Sequence, residues 1–201
     1  MHKCPMLLFE LNGVLIHYER NHTDVFKRVK LRSGVLHLLR LKKRFLVGVF
    51  SAMSPHVTET CVQELESRIG YGFKFDVVMD SIHCLPSPKR VRRHWLDMTK
   101  PIDKYFDLDQ VVMFDTVNTW YDPRLDNNVV LLNPYIIPEQ TDMDFCVLVD
   151  IIMNAATRCE DLQSSVIFMK DLFETLNRSY HTHINPWFVS NQLNKNKAVA
   201  K

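Results

Sequence analysis

An acid and an amide stand two residues apart near the start of the chain: Glu10 and Asn12, within Phe9-Glu10-Leu11-Asn12-Gly13-Val14-Leu15-Ile16. A carboxylate can attack an electrophile or carry a proton, whereas an amide cannot exchange a proton near neutral pH. Two further polar residues follow apolar runs in the same manner. Ser51 comes directly after Phe45–Phe50 (FLVGVF), and Asp115, followed by Thr116, comes directly after Val111–Phe114 (VVMF). Side chains at i and i+2 share one face of a strand, so Glu10 and Asn12 are expected to point the same way. In an open α/β sheet, ligands bind outside the carboxyl ends of the strands. Three such strand ends would converge on one polar pocket.

The elements that must hold these residues are readable from periodicity. Strand one is expected over Met6–Leu11, and Val25–Leu31 reads as extended, ending at Arg32-Ser33-Gly34. Val35–Lys43 shows a helical apolar face with a basic end. Phe45–Phe50 is the kind of continuous apolar run found in strands covered on both faces. Ser54-Pro55 opens a helix to about Ile69, with a serine N-cap and proline at the first helical position. Phe75–Met79, Val111–Phe114 and Asn128–Leu132 read as strands, and Cys84–Arg93 as a loop. Thr141 with Asp144 suits a capping box before a helix bearing Phe145, Leu148, Ile152 and Ala155. Leu162, Val166, Met169, Phe173 and Leu176 form the stripe of a last helix, and the chain turns polar after Arg178. Both stripes are expected to face the core. Alternating strands and helices predict an α/β, doubly wound, mostly parallel sheet with helices on both faces, plus a C-terminal helical extension.

Composition bounds the function. The chain has 201 residues, 46% hydrophobic and 24% charged, enough for one domain that buries its own core. A net charge of +2 gives no reason to expect nucleic acid. Five scattered cysteines without a C-x-x-C pair point to a reduced compartment rather than a disulfide framework or zinc. No apolar run reaches the ~18 residues of a membrane span, and the start does not resemble a signal or transit peptide. Cytosol or nucleus is the expectation. Lys89-Arg90-Val91-Arg92-Arg93 is the densest basic run and reads as solvated surface, and Asn185-Pro186-Trp187-Phe188 is an aromatic patch in the tail.

The order of these features resembles the haloacid dehalogenase superfamily. Within it, the order resembles specifically the RNA-polymerase C-terminal-domain phosphatases and their NLI-interacting-factor-like relatives, among them the small-domain phosphatases, Dullard and the mitochondrial import receptor Tim50. The family's opening strand, L-D-L-D-E-T-L-V-H, is matched by Phe9-Glu10-Leu11-Asn12-Gly13-Val14-Leu15-Ile16-His17. Arg32-Ser33-Gly34 stands for R-P-G, Phe50-Ser51-Ala52-Met53 for F-T-A-S, and Lys100-Pro101-Ile102 for the K-D-L element. Phe114-Asp115-Thr116-Val117-Asn118 and Leu125-Asp126-Asn127-Asn128-Val129 complete the series. The likeness covers residues 5–157, leaving 158–201 as a C-terminal helix and polar tail.

The resemblance implies a phosphoryl-transfer site, and the departures from it imply a damaged one. The family nucleophile position holds Glu10, one methylene too long, and the acid/base position holds Asn12. A nucleophile displaced by about 1 Å can lose on the order of a hundredfold in rate. Loss of a general acid/base costs about 10²–10⁴-fold. Ser51 and Lys100 are the implied phosphate-binding residues. Glu10, Asp115 and Thr116 are the implied magnesium ligands, a weak or lost set because Thr116 replaces an acid or amide. The expected function is a degenerate phosphatase fold that binds a protein partner through an acidic or phosphorylated segment. A divergent magnesium-dependent phosphatase and a Tim50-like import receptor are the alternatives. The same residues also have ordinary readings: Ser51 as a helix cap, Lys100 as a surface lysine, Asp115, Asn118 and Asn12-Gly13 as turn residues.

Overall fold

The computed structural model describes residues 4–19, 29–86, 98–116, 122–135, 145–159 and 161–183. Its centre is a five-stranded sheet. The strands are β1 (Met6–Phe9), β4 (Leu46–Phe50), β5 (Val77–Met79), β8 (Val111–Asp115) and β9 (Val129–Leu131), in the order β5-β4-β1-β8-β9. Every pairing is parallel, and Met6 lies opposite both Leu46 and Val111. β1 occupies the middle because its four residues, MLLF, are all buried and can face apolar neighbours on either side. Gly48 marks how tightly β4 is enclosed. A Cβ there would fall 2.9 Å from both Leu8 Cδ2 and the Val77 carbonyl oxygen, so no side chain fits.

Strand alternation divides the core between the two faces of the sheet. Leu7, Phe9, Val47, Val49, Val112 and Phe114 join one cluster with the long helices α2 (Pro55–Ile69), α4 (Phe145–Arg158) and α5 (Leu162–His183). Met6, Leu8, Phe50 and Met113 join a second cluster with Ile102, from the single-turn helix α3 (Ile102–Tyr105), and with Leu125. The fold is the expected α/β doubly wound sheet, more heavily covered on one face than on the other.

Several boundaries differ from the sequence expectation for local reasons. Strand one stops at Phe9 rather than Leu11. The Leu11 carbonyl accepts from the N–H groups of Leu15 and Ile16, both at 3.0 Å, and curls the chain out of the sheet. Gly13 sits in this turn at φ 89°, a conformation that favours glycine. The helix expected over Val35–Lys43 is instead a 3-10 turn, Val35–His37, followed by the one-turn α1 (Leu38–Leu41). β5 starts at Val77 because Asp76 uses its carboxylate to accept from Val47 N and Lys42 Nζ. The last helix runs to His183, past Arg178, where a polar tail was expected.

Two small antiparallel ribbons accompany the sheet, and of their strands only Val29–Leu31 lies in a segment expected to be extended. β2 (Ile16–Tyr18) pairs with β3 (Val29–Leu31), and β6 (Leu85–Pro86), inside the expected loop, pairs with β7 (Met98–Thr99). Of the Val25–Leu31 segment, 25–28 lie outside the described residues, as do Thr141–Asp144, Lys89–Arg93, Asn118 and Asn185–Phe188.

Candidate functional site

The carboxyl ends of β1, β4 and β8 do converge. Glu10 follows β1 directly, and its N–H donates to Phe114 O (2.9 Å), extending the ladder one step beyond the strand. Ser51 follows β4 and donates its N–H to Met79 O (2.9 Å). Asp115 is the last residue of β8. Lys100 arrives from elsewhere: it follows β7, and Pro101 behind it opens α3. Ser51 and Lys100 are fully buried, Asp115 is 1% exposed and Glu10 8%.

These four side chains form one network. Ser51 Oγ donates to Glu10 Oε1 (2.5 Å), and the Leu11 N–H donates to the same oxygen (2.8 Å). Lys100 Nζ donates to Glu10 Oε2 and to Asp115 Oδ2 (2.6 Å). Asp115 Oδ1 accepts from the Thr116 N–H (2.6 Å). Lys100 is therefore not a surface lysine. Ser51 accepts from Met53 N–H (3.3 Å) as well as donating to Glu10, so it orders the turn before α2 while belonging to the site. Ser54 takes the N-cap position of α2, but its side chain makes no capping hydrogen bond.

The shared face expected for Glu10 and Asn12 is not formed. With the strand ended at Phe9, the two residues lie on a turn. Glu10 points into the network, while Asn12 is exposed and its Oδ1 accepts from the Tyr18 N–H (3.0 Å), fastening the last residue of β2. Gly13 is held close by. Its carbonyl accepts from Tyr135 N–H (2.7 Å), and a Cβ there would lie 3.2 Å from Thr116 Cγ2. Tyr135 OH also donates to Leu31 O (3.1 Å), tying the ribbon to the segment after β9.

Two carboxylates share one ammonium in a largely buried space, and the ionisation follows from that. Burial pushes the Glu10 carboxyl above its usual value; Lys100 opposes the shift and Asp115 adds to it. Burial alone would lower the Lys100 ammonium. The two carboxylates and their hydrogen bonds outweigh it and hold Lys100 above the ordinary lysine value. Cys84, which no sequence signal marked, lies within electrostatic reach of Lys100 and Glu10. Burial pushes its thiol up to about 11, so it is an unreactive thiol at neutral pH. Phe50 was also missed as a site residue: its ring centroid lies 5.8 Å from Lys100 Nζ.

A folded-state Glu pKa above the unfolded value of about 4.5 means that the native chain binds the proton more readily. Its contribution to stability is then greatest at low pH and declines as pH rises from about 4.5 through the folded value. Glu10→Gln removes this titration. The stability of the wild type minus that of Glu10→Gln should fall between pH 4.5 and neutrality, read by urea unfolding at both ends. A difference that rises with pH would reverse the assignment.

The residues present fit magnesium poorly. That ion requires oxygen ligands in near-octahedral geometry, usually one or two carboxylates with waters. Here all four oxygens of Glu10 and Asp115 accept from the chain itself, and the Lys100 ammonium bridges the two groups. Thr116 reaches Asp115 through its backbone N–H. Among the described residues, no three His, Cys, Asp or Glu side chains are grouped to hold a metal.

The family model for NLI interacting factor-like phosphatases matches residues 5–163. The chain belongs to that family. Two solved structures are similar to this member. One is fission yeast RNA polymerase II CTD phosphatase Fcp1, a variant bound to beryllium fluoride, at 15% identity and TM-score 0.45 over 85% of this chain and 51% of that one. The other is Fcp1, described as an essential RNA polymerase II CTD phosphatase, at 12% identity and TM-score 0.46 over 89% and 63%. The family member described here thus spans between half and two-thirds of those proteins. No curated protein sequence matches it significantly. No helix among its described residues is long and apolar enough to cross a membrane.

Proposed function

We propose that this family member is a non-hydrolysing interaction module that uses the phosphatase scaffold to bind a protein partner, with a weak or lost magnesium site. The observation that carries this reading is Asn12. The acid/base position implied by the family resemblance holds an amide, and that amide is committed to the Tyr18 backbone. Glu10, at the implied nucleophile position, supports the same reading, because its carboxylate accepts from Ser51, Lys100 and the Leu11 N–H. An acidic or phosphorylated segment is the partner chemistry suited to the Ser51 and Lys100 donors, and it would compete with Glu10 for them.

The convergence of a carboxylate, a hydroxyl and an ammonium keeps one rival in play: a divergent magnesium-dependent phosphatase with Glu10 as nucleophile. Purified protein with magnesium and an aryl phosphate decides between them. The expected result is release of phenol no faster than in Glu10→Ala. Turnover that disappears in Glu10→Ala would overturn the binding reading.

A further inference from the structure

Three hydrogen-bond donors from three separate parts of the chain converge on one carboxylate. They are the Leu11 N–H behind β1, the Ser51 hydroxyl behind β4 and the Lys100 ammonium behind β7. Such a set, fully buried and including a formal positive charge, is a receptor for a small oxyanion. Its occupant is the chain's own Glu10 carboxylate: Oε1 takes two of the donors and Oε2 the third. We infer that Glu10 is the resident anion of an oxyanion site, filling it from within and excluding external anions of the same kind.

Two features beyond the hydrogen bonds point the same way. The first is access. The Glu10 side chain is 10% exposed, against 0% for Lys100 and 2% for Asp115, and Ser51 is fully buried. An anion arriving from solvent therefore meets Glu10 before it meets any donor. The second is charge. Two carboxylates, Glu10 and Asp115, already face the Lys100 ammonium. A further anion beside Glu10 would crowd a third negative group around it in a largely desolvated space. An anion in place of Glu10 would restore the original balance, provided it is monovalent. A small carboxylate such as formate matches in charge, size and acceptor geometry, as does the carboxylate of an acidic partner segment.

This inference rests on the proposed function and deepens it by naming what holds the site when no partner is bound. The experiment therefore measures binding, not turnover. Thermal unfolding of the wild type is followed with sodium formate, inorganic phosphate and beryllofluoride, against chloride at equal ionic strength to remove general salt effects. No saturable rise in Tm is expected. Glu10→Ala opens a hole the size of the lost carboxylate and leaves Lys100 paired with Asp115. It should melt lower than the wild type and regain Tm saturably with formate, by about 3–6 °C at ten times the dissociation constant. Adding Ser51→Ala to Glu10→Ala should weaken formate binding by at least about tenfold.

A saturable response of the wild type to any of the three anions would overturn the inference. So would a Glu10→Ala protein with native circular dichroism that does not respond to formate. If Glu10→Ala does not fold, the wild-type titration decides alone: a saturable shift refutes a self-filled site, and its absence supports one. The aryl phosphate assay is separate. Turnover by the wild type that Glu10→Ala abolishes would remove the binding-module reading and the self-filled site together, whereas a saturable formate response of the wild type without turnover would remove the self-filled site alone.

Discussion

Replacing Lys100 with methionine is expected to lower stability by about 3–5 kcal/mol at neutral pH, the usual consequence of removing one partner from a buried ion network. Methionine is close to lysine in length and packs well, so the loss reports charge rather than a hole. What remains is two carboxylates facing one another out of water: Glu10 held by Ser51 and the Leu11 N–H, Asp115 by the Thr116 N–H. Total stabilities of single domains run to about 5–15 kcal/mol, so the variant should be marginal. Its deficit should shrink as pH falls toward 4.5, because protonation relieves the repulsion. Adding Glu10→Gln to Lys100→Met should recover part of the loss at neutral pH. Urea unfolding of the three variants across pH checks both statements, and a pH-independent deficit would mean that packing, not charge, was lost. In the wild type, the raised Lys100 pKa adds stability that is complete below the ordinary lysine value near 10.5 and is lost only at higher pH.

The second large effect is expected one residue before the site. Phe9 is fully buried, stacked on Phe114 at 4.9 Å between ring centroids and tilted against Phe145 at 5.8 Å. Phe9→Ala should cost about 3–5 kcal/mol through lost burial and an unfilled cavity between β1, β8 and α4. Phe9→Leu keeps most of the volume and should cost well under half of that. Because Glu10 is the next residue, a relaxing cavity also moves the carboxylate off Ser51. Chemical denaturation of both variants supplies the comparison, and equal losses would show that ring stacking rather than volume dominates.

The sheet could be read from the sequence because its central strands are covered on both faces and leave unbroken apolar runs, as in Phe45–Phe50 and Val111–Phe114. Glu10, Ser51 and Asp115 could be found for the same reason: each is the first polar residue where such a run stops. Lys100 has no such marker. It came only from the family pattern, since a lysine followed by proline looks like surface until a partner pair of carboxylates is known to lie over it. Asn12 was misplaced because its orientation is set by backbone bonds from Leu15 and Ile16 to Leu11, which no side-chain pattern encodes. Three of the four ribbon strands, β2, β6 and β7, escaped notice because strands of two or three residues, such as Leu85–Pro86 and Ile16–Tyr18, are too short to establish a period.

The contact between Lys100 and Glu10 joins positions 90 residues apart. A ribosome adding about 5–20 residues per second leaves Glu10 without its counter-ion for roughly 5–20 s after it is made. Throughout that interval the carboxylate at the end of β1 has no ammonium to offset its desolvation. The sheet's own topology sets the same order, since β1 also needs Val111–Asp115 as its second neighbour: the middle strand can be enclosed only after the polypeptide beyond Thr99 has emerged.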